Sequence, residues 1–504
     1  MKSGQDYSDE KLTIEQARQQ INEQDDIILK AFLKRMEAAK EIARNKEEQG
    51  LPTYVPEREK EILISVREKT PVELQDYSQA LFEKLMELSR KYQREKKKYG
   101  LLGRKLGHSF SPEIHKMIGE LSQPYSYDLF QIEPEELEAF ITQGEWDGLN
   151  VTIPYKTEVM QYCHEIAPEA KRIGAVNTLV KRQGKIIGYN TDYFGFKKTV
   201  QASGAQVKDV KCIVLGSGGA SKTVMTVLED LGASEVVVVS RDGKTGCDYH
   251  GLRNHYDAKI LVNTTPVGMY PETGKAPVFP GTFPAVEWAF DLIYNPLRTN
   301  FLCQAKKSGI VPINGLKMLV AQAKASAELF LGQKINDDIL ESIEGHIRKQ
   351  KENIVLIGMP GAGKSTVGRS LAFALGKTFI DTDDLIVETT GMEIPEIFRL
   401  QGEEGFRQIE MNVISQLCHK TGAVIACGGG VVTREENYYA LAENGRFVFL
   451  NRPIDMLPTD GRPISQSIPR ARLYAQRLPI YRSWCDEEIN TEGRAVEEIV
   501  ETIK

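Results

Sequence analysis

Residues 354–366 read Ile354-Val355-Leu356-Ile357-Gly358-Met359-Pro360-Gly361-Ala362-Gly363-Lys364-Ser365-Thr366, or IVLIGMPGAGKST. A short apolar run stops at Gly358, and four residues later comes Gly363-Lys364-Ser365. The pattern predicts a β-strand, a glycine-rich turn and a helix over Thr366–Leu375. Such a turn curls its backbone around phosphate oxygens where no Cβ intervenes. The following helix N-terminus adds N–H donors and a positive dipole end. Gly361, Ala362, Gly363, Lys364, Ser365 and Thr366 form the expected cradle. Lys364 reaches the β- and γ-phosphates, and the Ser365 hydroxyl is a ligand for Mg²⁺. The C-terminal third is therefore expected to bind ATP or a similar nucleoside triphosphate.

The chain has 504 residues, which predicts roughly three domains. Its net charge of −6 gives no general affinity for nucleic acid or for a membrane surface. Seven cysteines without a C-x-x-C pair point to reduced thiols and a cytoplasmic location. The polar start, MKSGQDYSDEK, does not read as a signal peptide. No apolar run approaches the ~18 residues of a membrane span.

Residues 1–95 carry apolar side chains at helical spacing: Ile14, Ala17, Ile21, Ile28, Phe32, Met36 and Ile42. A long helix is expected from Thr13, its cap, to about Gly50. A second starts near Pro56 and runs to about Lys69, and a third spans Val72 to about Lys97. A helix of this length needs a partner for its apolar face, so a helical homodimer is expected. R-x-x-I, K-R-M-E-A-A-K, N-K, P-E-R-E and S-R-K-Y-Q resemble the all-helical chorismate mutase family across the segment. That resemblance assigns Arg18, Arg35, Lys46, Arg58, Glu59, Ser89 and Gln93 to the site that rearranges chorismate to prephenate. Arginines would clamp the two carboxylates in a compact conformer. Lys46 and Gln93 would face the ether oxygen as negative charge builds, and Arg18 would cross to a partner chain. Val55 stands where the family often has an acid, which predicts weaker binding or turnover. The alternative is a helical segment that only pairs chains or senses an aromatic ligand.

Residues 96–350 shift to alternating strands and helices after the charged Arg94–Lys98 linker. The first part holds polar clusters: Gly107-His108-Ser109-Phe110-Ser111-Pro112, a strand Asn150–Lys156 ending in a lysine, Ala175–Thr178, and Asn190-Thr191-Asp192. Hydroxyls, amides, one Lys and one Asp suit a polyol that carries a carboxylate. The second part runs from a strand Val210–Leu215 into Gly216-Ser217-Gly218-Gly219-Ala220, a helix to Leu231, and a strand Glu235–Val239. This is the dinucleotide-binding layout. Ser240 and Arg241 follow where an NAD site wants a carboxylate, which suits the 2′-phosphate of NADP.

Together with Asn263–Met269, Asp291–Pro296 and Gly315–Ala323, these motifs resemble shikimate dehydrogenase over the whole segment. The resemblance gives Ser109, Ser111, Thr152, Asn177, Tyr294 and Gln322 to the substrate, and Lys156 with Asp192 to catalysis. It gives Gly216, Ser217, Gly218, Gly219, Ala220, Ser240, Arg241, Thr264 and Met318 to NADP(H). The implied reaction is reduction of 3-dehydroshikimate to shikimate.

Beyond the phosphate loop, Asp381 and Asp383 read as a strand end with two carboxylates on one side. Gly402–Arg407 follows with Glu410 one helical turn on, then Val424–Ala426 leads into Gly428-Gly429-Gly430, a backbone surface for close ligand approach. Gly461-Arg462-Pro463 and Leu473–Tyr481 complete the set. The segment resembles shikimate kinase. By that resemblance Asp383 binds and assists the shikimate hydroxyl, Arg407 and Arg477 clamp the carboxylate, and Gly428, Gly429 and Gly430 line the ring. Asp381 joins Ser365 at Mg²⁺, and Lys364 and Arg462 stabilise the transferring phosphoryl group. Arg462 falls in the family's mobile lid, here short and sparsely basic.

The expected architecture is a helical chorismate-mutase-like domain over 1–95, then an α/β dehydrogenase over 96–350. Its substrate lobe is expected at about 100–195 and its NADP-binding lobe at about 205–315. An α/β P-loop kinase follows over 351–504. The rival reading is a bifunctional dehydrogenase–kinase with a helical dimerisation or sensor segment.

Overall fold

The computed structural model describes residues 13–48, 56–94, 97–107, 109–457 and 470–504. They form two compact units. One holds the described residues up to 170 with 174–189 and 326–335, and the other holds 171–173, 190–325 and the described residues from 336 on.

In the first unit, helix α1 spans Ile14–Glu48, α2 Pro56–Glu68, and α3 Gln75–Arg94 after a short 3₁₀ turn Val72–Leu74. Thr13 caps α1 as the spacing predicts. Its Oγ1 accepts from Gln16 N at 3.2 Å, and Gln16 Oε1 accepts from Thr13 N at 2.9 Å. Two orphan N–H groups are thus satisfied reciprocally. Met86 and Ser89 of α3 are buried.

The same unit carries a six-stranded sheet in the order β2-β1-β3-β5-β6-β4. Strands β1 (Tyr99–Gly103), β2 (Asp128–Gln131) and β3 (Gly148–Val151) are parallel, and helix α4 (Ser111–Leu121) follows β1. Strand β4 is Glu165–Ile166; β5 (Thr178–Arg182) and β6 (Lys185–Tyr189) form an antiparallel pair. Leu102, Leu149, Val151 and Leu179 bury their side chains against helix α5 (Leu137–Gln143). The strand expected to run to Lys156 stops at Val151. Pro154 has no N–H for a ladder bond. Thr152–Lys156 turns out of the sheet, with Tyr155 N bonded back to Thr152 O at 3.0 Å.

The second unit holds two parallel sheets. The first is ordered β11-β10-β9-β7-β8. Its strands are β7 (Lys211–Leu215), β8 (Glu235–Val239), β9 (Ile260–Asn263), β10 (Trp288–Asp291) and β11 (Val311–Ile313). After the short helix α6 (Pro168–Ile173), α7 (Thr191–Ser203), α8 (Gly219–Asp230), α9 (Asn300–Lys307), α10 (Leu316–Leu331) and α11 (Asp338–Lys351) complete this stretch of chain. The sheet order reverses between β7 and β9, so a crevice opens at their carboxyl ends.

The second parallel sheet is ordered β13-β14-β12-β15-β16. Its strands are β12 (Asn353–Ile357), β13 (Thr378–Asp381), β14 (Ala423–Ala426), β15 (Gly445–Asn451) and β16 (Glu487–Asn490). Every side chain of β12 is buried, as its unbroken apolar run requires of a central parallel strand. Around it lie α12 (Lys364–Leu375), α13 (Thr382–Thr390), α14 (Ile394–Leu417), α15 (Glu435–Ala442), and helices Arg470–Trp484 and Val496–Ile503. Cys303 of α9 joins the core of this last sheet, so the two sheets share packed surface within one unit.

Candidate active sites

The glycine-rich loop leaves the carboxyl end of β12 and enters α12 at Lys364. Gly361 and Gly363 have φ of 87° and 93°, values that only glycine adopts without strain. The Lys364 ammonium is buried and donates to the carbonyls of Gly358 and Met359, each at 3.0 Å. A cavity of about 540 Å³ opens over this loop. Its walls bring together Lys364, Ser365, Thr366, Asp381, Asp383, Arg407, Gly428–Gly430, Arg452 and Arg477. Gly361 and Gly363 also line it.

The Ser365 hydroxyl donates to Asp381 Oδ2 at 2.6 Å, and Asp381 Oδ1 accepts from Asp383 N at 3.1 Å. Asp381 ends β13 and caps α13, whereas Asp383 stands in the first helical turn. The two acids are therefore not strand neighbours on one face. A capping carboxylate starts the helix early, and helical rotation swings Asp383 to the cavity.

Arg407 is buried and donates to Glu410 Oε2 at 2.6 Å. Its Nε and Glu410 Oε1 are buried with no partner among the described residues. Burial raises the Glu410 pKa, and the Arg407 charge opposes that. Arg477 Nη1 donates to Gly429 O at 3.0 Å. The three glycines leave room for the protein's own groups. A Cβ on Gly430 would sit 2.0 Å from Arg407 Nη2, and one on Gly428 would sit 2.7 Å from Asp383 Oδ1. Sequence reading did not assign Phe398, Ile394 and Pro395, which wall the cavity. Phe398 stacks on Phe406 at 4.5 Å between ring centres, a contact visible only once Gly402 kinks α14. Arg462 lies outside the described residues.

At the β7–β9 crevice, Gly216 has φ 106° and donates its N–H to Val239 O at 2.8 Å. A Cβ there would lie 2.8 Å from Thr264 Oγ1, which itself donates to Leu215 O at 2.7 Å. Ser217, Gly218, Gly219 and Ala220 carry the turn into α8. Ser240 is buried at the end of β8, and its hydroxyl donates to Asp242 Oδ1 at 2.8 Å. That hydrogen bond, with the Lys244 N–H, holds the Asp242 carboxyl pKa below its usual value, while Arg241 is exposed. A Cβ on Gly195 of α7 would stand 2.7 Å from Met318 O and 3.0 Å from Gln322 Cβ. Asp192, on the first turn of α7, and Gln322 and Met318, on α10, thus occupy two helices in close contact. Tyr294 follows β10 and is partly buried.

In the first unit, Ser109, Ser111, Thr152, Lys156 and Asn177 gather at one end of the six-stranded sheet. Ser109 Oγ accepts from Ser111 N at 3.2 Å beyond β1. Thr152 N donates to Leu102 O at 2.9 Å, and Val151 N donates to Asn177 O at 2.7 Å. Val176 N bonds Lys156 O at 2.8 Å, which ties the lysine turn to the asparagine.

Among the helices, Arg35 of α1 donates to Leu85 O at 3.1 Å and also to the Ser89 hydroxyl of α3. Arg90, which sequence reading passed over, pairs with Glu59 of α2. Burial lowers the Arg35 pKa, and the Glu59 charge opposes it. Arg35, Glu59 and Ser89 are therefore neighbours on three helices. Lys46 lies partly buried in the last turn of α1. Arg18 is exposed, and Arg58 pairs with Glu61 at 2.7 Å on an exposed face. Gln93 falls within α3, and its side chain and Val55 lie outside the described set.

Three family models match in order along the chain: chorismate mutase type II over residues 17–94, the shikimate dehydrogenase substrate binding domain over 101–179, and shikimate kinase over 360–504. A shikimate dehydrogenase (NADP(+)) from Clostridium perfringens strain SM101 is 39% identical over 263 residues, spanning 49% of this chain and 97% of that protein. One from Caldanaerobacter subterraneus is 37% identical over 273 residues, covering 50% and 98%. A solved chorismate mutase/shikimate 5-dehydrogenase fusion protein from Clostridium acetobutylicum is 41% identical, covers 50% of this chain and 97% of its own, and has a TM-score of 0.47. The chain belongs to the shikimate dehydrogenase family, in a fusion that places a chorismate mutase segment before the dehydrogenase and a shikimate kinase segment after it.

Proposed function

We propose that the chain is a trifunctional enzyme: it reduces 3-dehydroshikimate to shikimate, phosphorylates shikimate, and rearranges chorismate to prephenate. The observation that carries this reading is the cavity over the phosphate loop. There a buried lysine, two aspartates and two buried arginines converge on one space of about 540 Å³. Cations fixed by their own buried partners suit a small ring compound with one carboxylate.

In the kinase, ATP supplies the phosphoryl group. Lys364 balances charge on that group, and Asp383 accepts the hydroxyl proton of shikimate. Arg407, held by Glu410, and Arg477, held by Gly429 O, orient the substrate carboxylate. Mg²⁺ would neutralise phosphate charge, and the adjoining Ser365 hydroxyl and Asp381 carboxylate suit a hard oxygen-seeking ion. One or two protein oxygens with phosphate are enough for it.

In the dehydrogenase, NADPH supplies the hydride. Lys156 carries the charge that builds on the ketone oxygen and delivers the proton, and Asp192 orients it. Ser109, Ser111, Thr152, Asn177, Tyr294 and Gln322 hold the ring hydroxyls and carboxylate. Arg241 and Ser240 receive the 2′-phosphate of the cofactor, with the Asp242 carboxylate engaged by the Ser240 hydroxyl.

In the mutase, Arg18, Arg35 and Arg58 hold the carboxylates, Lys46 and Gln93 face the ether oxygen, and Glu59 and Ser89 support them. Two copies of α1 pair through an exposed apolar row, Ile14, Ile21 and Ile28, each more than half exposed. No described helix is long and apolar enough to cross a membrane. The cytoplasm, where cysteines stay reduced, suits the seven thiols.

Three assays on the purified chain test the reading: NADPH oxidation with 3-dehydroshikimate, ATP consumption with shikimate, and loss of chorismate. All three are expected. Failure of the first two would overturn the reading. Failure of the third alone would favour a helical segment that only pairs chains.

A further inference from the structure

The kinase segment touches the cofactor lobe at one corner. Glu443 and Asn444 join α15 to β15, and Asn444 O accepts from Asn353 N, the first residue of β12, at 2.7 Å. This corner lies at the end of the kinase sheet opposite the phosphate loop. The groups that meet it come from loops leaving the carboxyl ends of β9 and β10, the edge that also carries Thr264.

Glu443 holds both loops. Its Oε1 accepts from Gly274 N at 2.6 Å, and its carbonyl accepts from Arg298 N at 2.7 Å. Asn444 Oδ1 accepts from Leu297 N at 3.0 Å. The two loops are also tied to each other. Tyr270 N donates to Asn295 O at 3.1 Å, and Asn300 Nδ2 donates to Gly274 O at 2.8 Å. Further in, Thr299 Oγ1 donates to buried Asp291 Oδ2 at 2.6 Å, and Asn263 Nδ2 donates to Asp291 Oδ1 at 3.1 Å. Asn263 Oδ1 accepts the Thr265 N–H at 2.9 Å, next to Thr264 in the cofactor crevice. Hydrogen bonds therefore run from a kinase carboxyl to the loop that borders the β7–β9 crevice. Salt bridges Lys307–Glu435 at 2.7 Å and Lys306–Asp486 flank the seam.

We propose that Glu443 is a positioning residue for the dehydrogenase: a kinase-segment side chain that sets the β9 loop of the cofactor lobe, which Asn300 in turn ties to the β10 loop. This rests on the dehydrogenase reading above. The role needs a hydrogen-bond acceptor rather than a charge. Glu443 is 1% exposed, its Oε2 has no partner among the described residues, and burial pushes its pKa up to about 7. Glutamine keeps the acceptor and alanine removes it.

The test uses the full chain with Glu443→Ala, Glu443→Gln and Asn300→Ala. Asn300 grips the same loop from its more open side, so that variant leaves the kinase core intact. Glu443→Ala is expected to raise the KM for NADPH about three- to thirtyfold, with kcat within about twofold and both kinase constants unchanged. The same weakening should appear in an NADPH fluorescence titration. Asn300→Ala should shift KM in the same direction, and Glu443→Gln should restore it. An unchanged KM in the alanine variants would overturn the proposal. So would a fall in kcat at constant KM, which marks lost folded protein, or a glutamine variant as impaired as alanine. Wild-type chain that binds no NADPH would overturn the cofactor reading itself, and this proposal with it.

Discussion

Gly430 shows what one missing methyl group protects. The Arg407 guanidinium occupies the space its Cβ would need. Overpacking of about 1–3 kcal/mol is expected from Gly430→Ala. It should appear as about a ten- to hundredfold loss of kinase kcat/KM for shikimate, with dehydrogenase constants unchanged. An unaltered kcat/KM would show that Arg407 is not held where shikimate binds. Lys156→Ala should lower dehydrogenase kcat about 10²–10⁴-fold with little change in KM, as steady-state kinetics would report. Arg241→Ala should cost NADPH affinity far more than NADH affinity, and equal losses would remove the 2′-phosphate role. The motifs fix both the type and the spacing of these single residues. Spacing alone gives Glu410 and Arg90 no part. Their significance lies in partners: Glu410 holds a buried arginine three residues away, and Arg90 holds Glu59 on another helix.

Elements follow the same division. The periodicity of α1 and its Thr13 cap could be read directly, whereas the reciprocal bond from Gln16 could not, and the strand–loop–helix over 353–375 stands where the apolar run and glycines put it. Two strand ends near the sites shifted for local reasons. Pro154 ends β3 before Lys156, and the Asp381 cap turns Asp383 from strand to helix. Neither change moves the residue out of its cluster. On α1, Ile14, Ile21 and Ile28 recur every seven residues and stay exposed within one chain. This is the spacing of a helix-pairing seam. Ile28→Glu is expected to shift light scattering of the full chain from dimer to monomer and to lower mutase activity with it. A dimer that survives the change would place the contact elsewhere.

At the level of the whole chain, three segments in sequence order could be read from motifs, and the three family models match in that same order. The seam between cofactor lobe and kinase could not. It pairs Gly274 and Arg298 with Glu443, residues far apart in the chain and part of no motif. Such contacts depend on where two folded surfaces meet, which local patterning does not encode. The chemistry does connect the segments: the alcohol made in the middle is the substrate at the end.

That link can be measured in one reaction. The purified chain is given 3-dehydroshikimate, NADPH and ATP, with no shikimate added, and NADPH oxidation and ADP formation are followed together. NADPH is expected to be consumed first, and ADP then to appear only when both the ketone and NADPH are present. NADPH left unoxidised, or oxidised without any ADP formed, would contradict it.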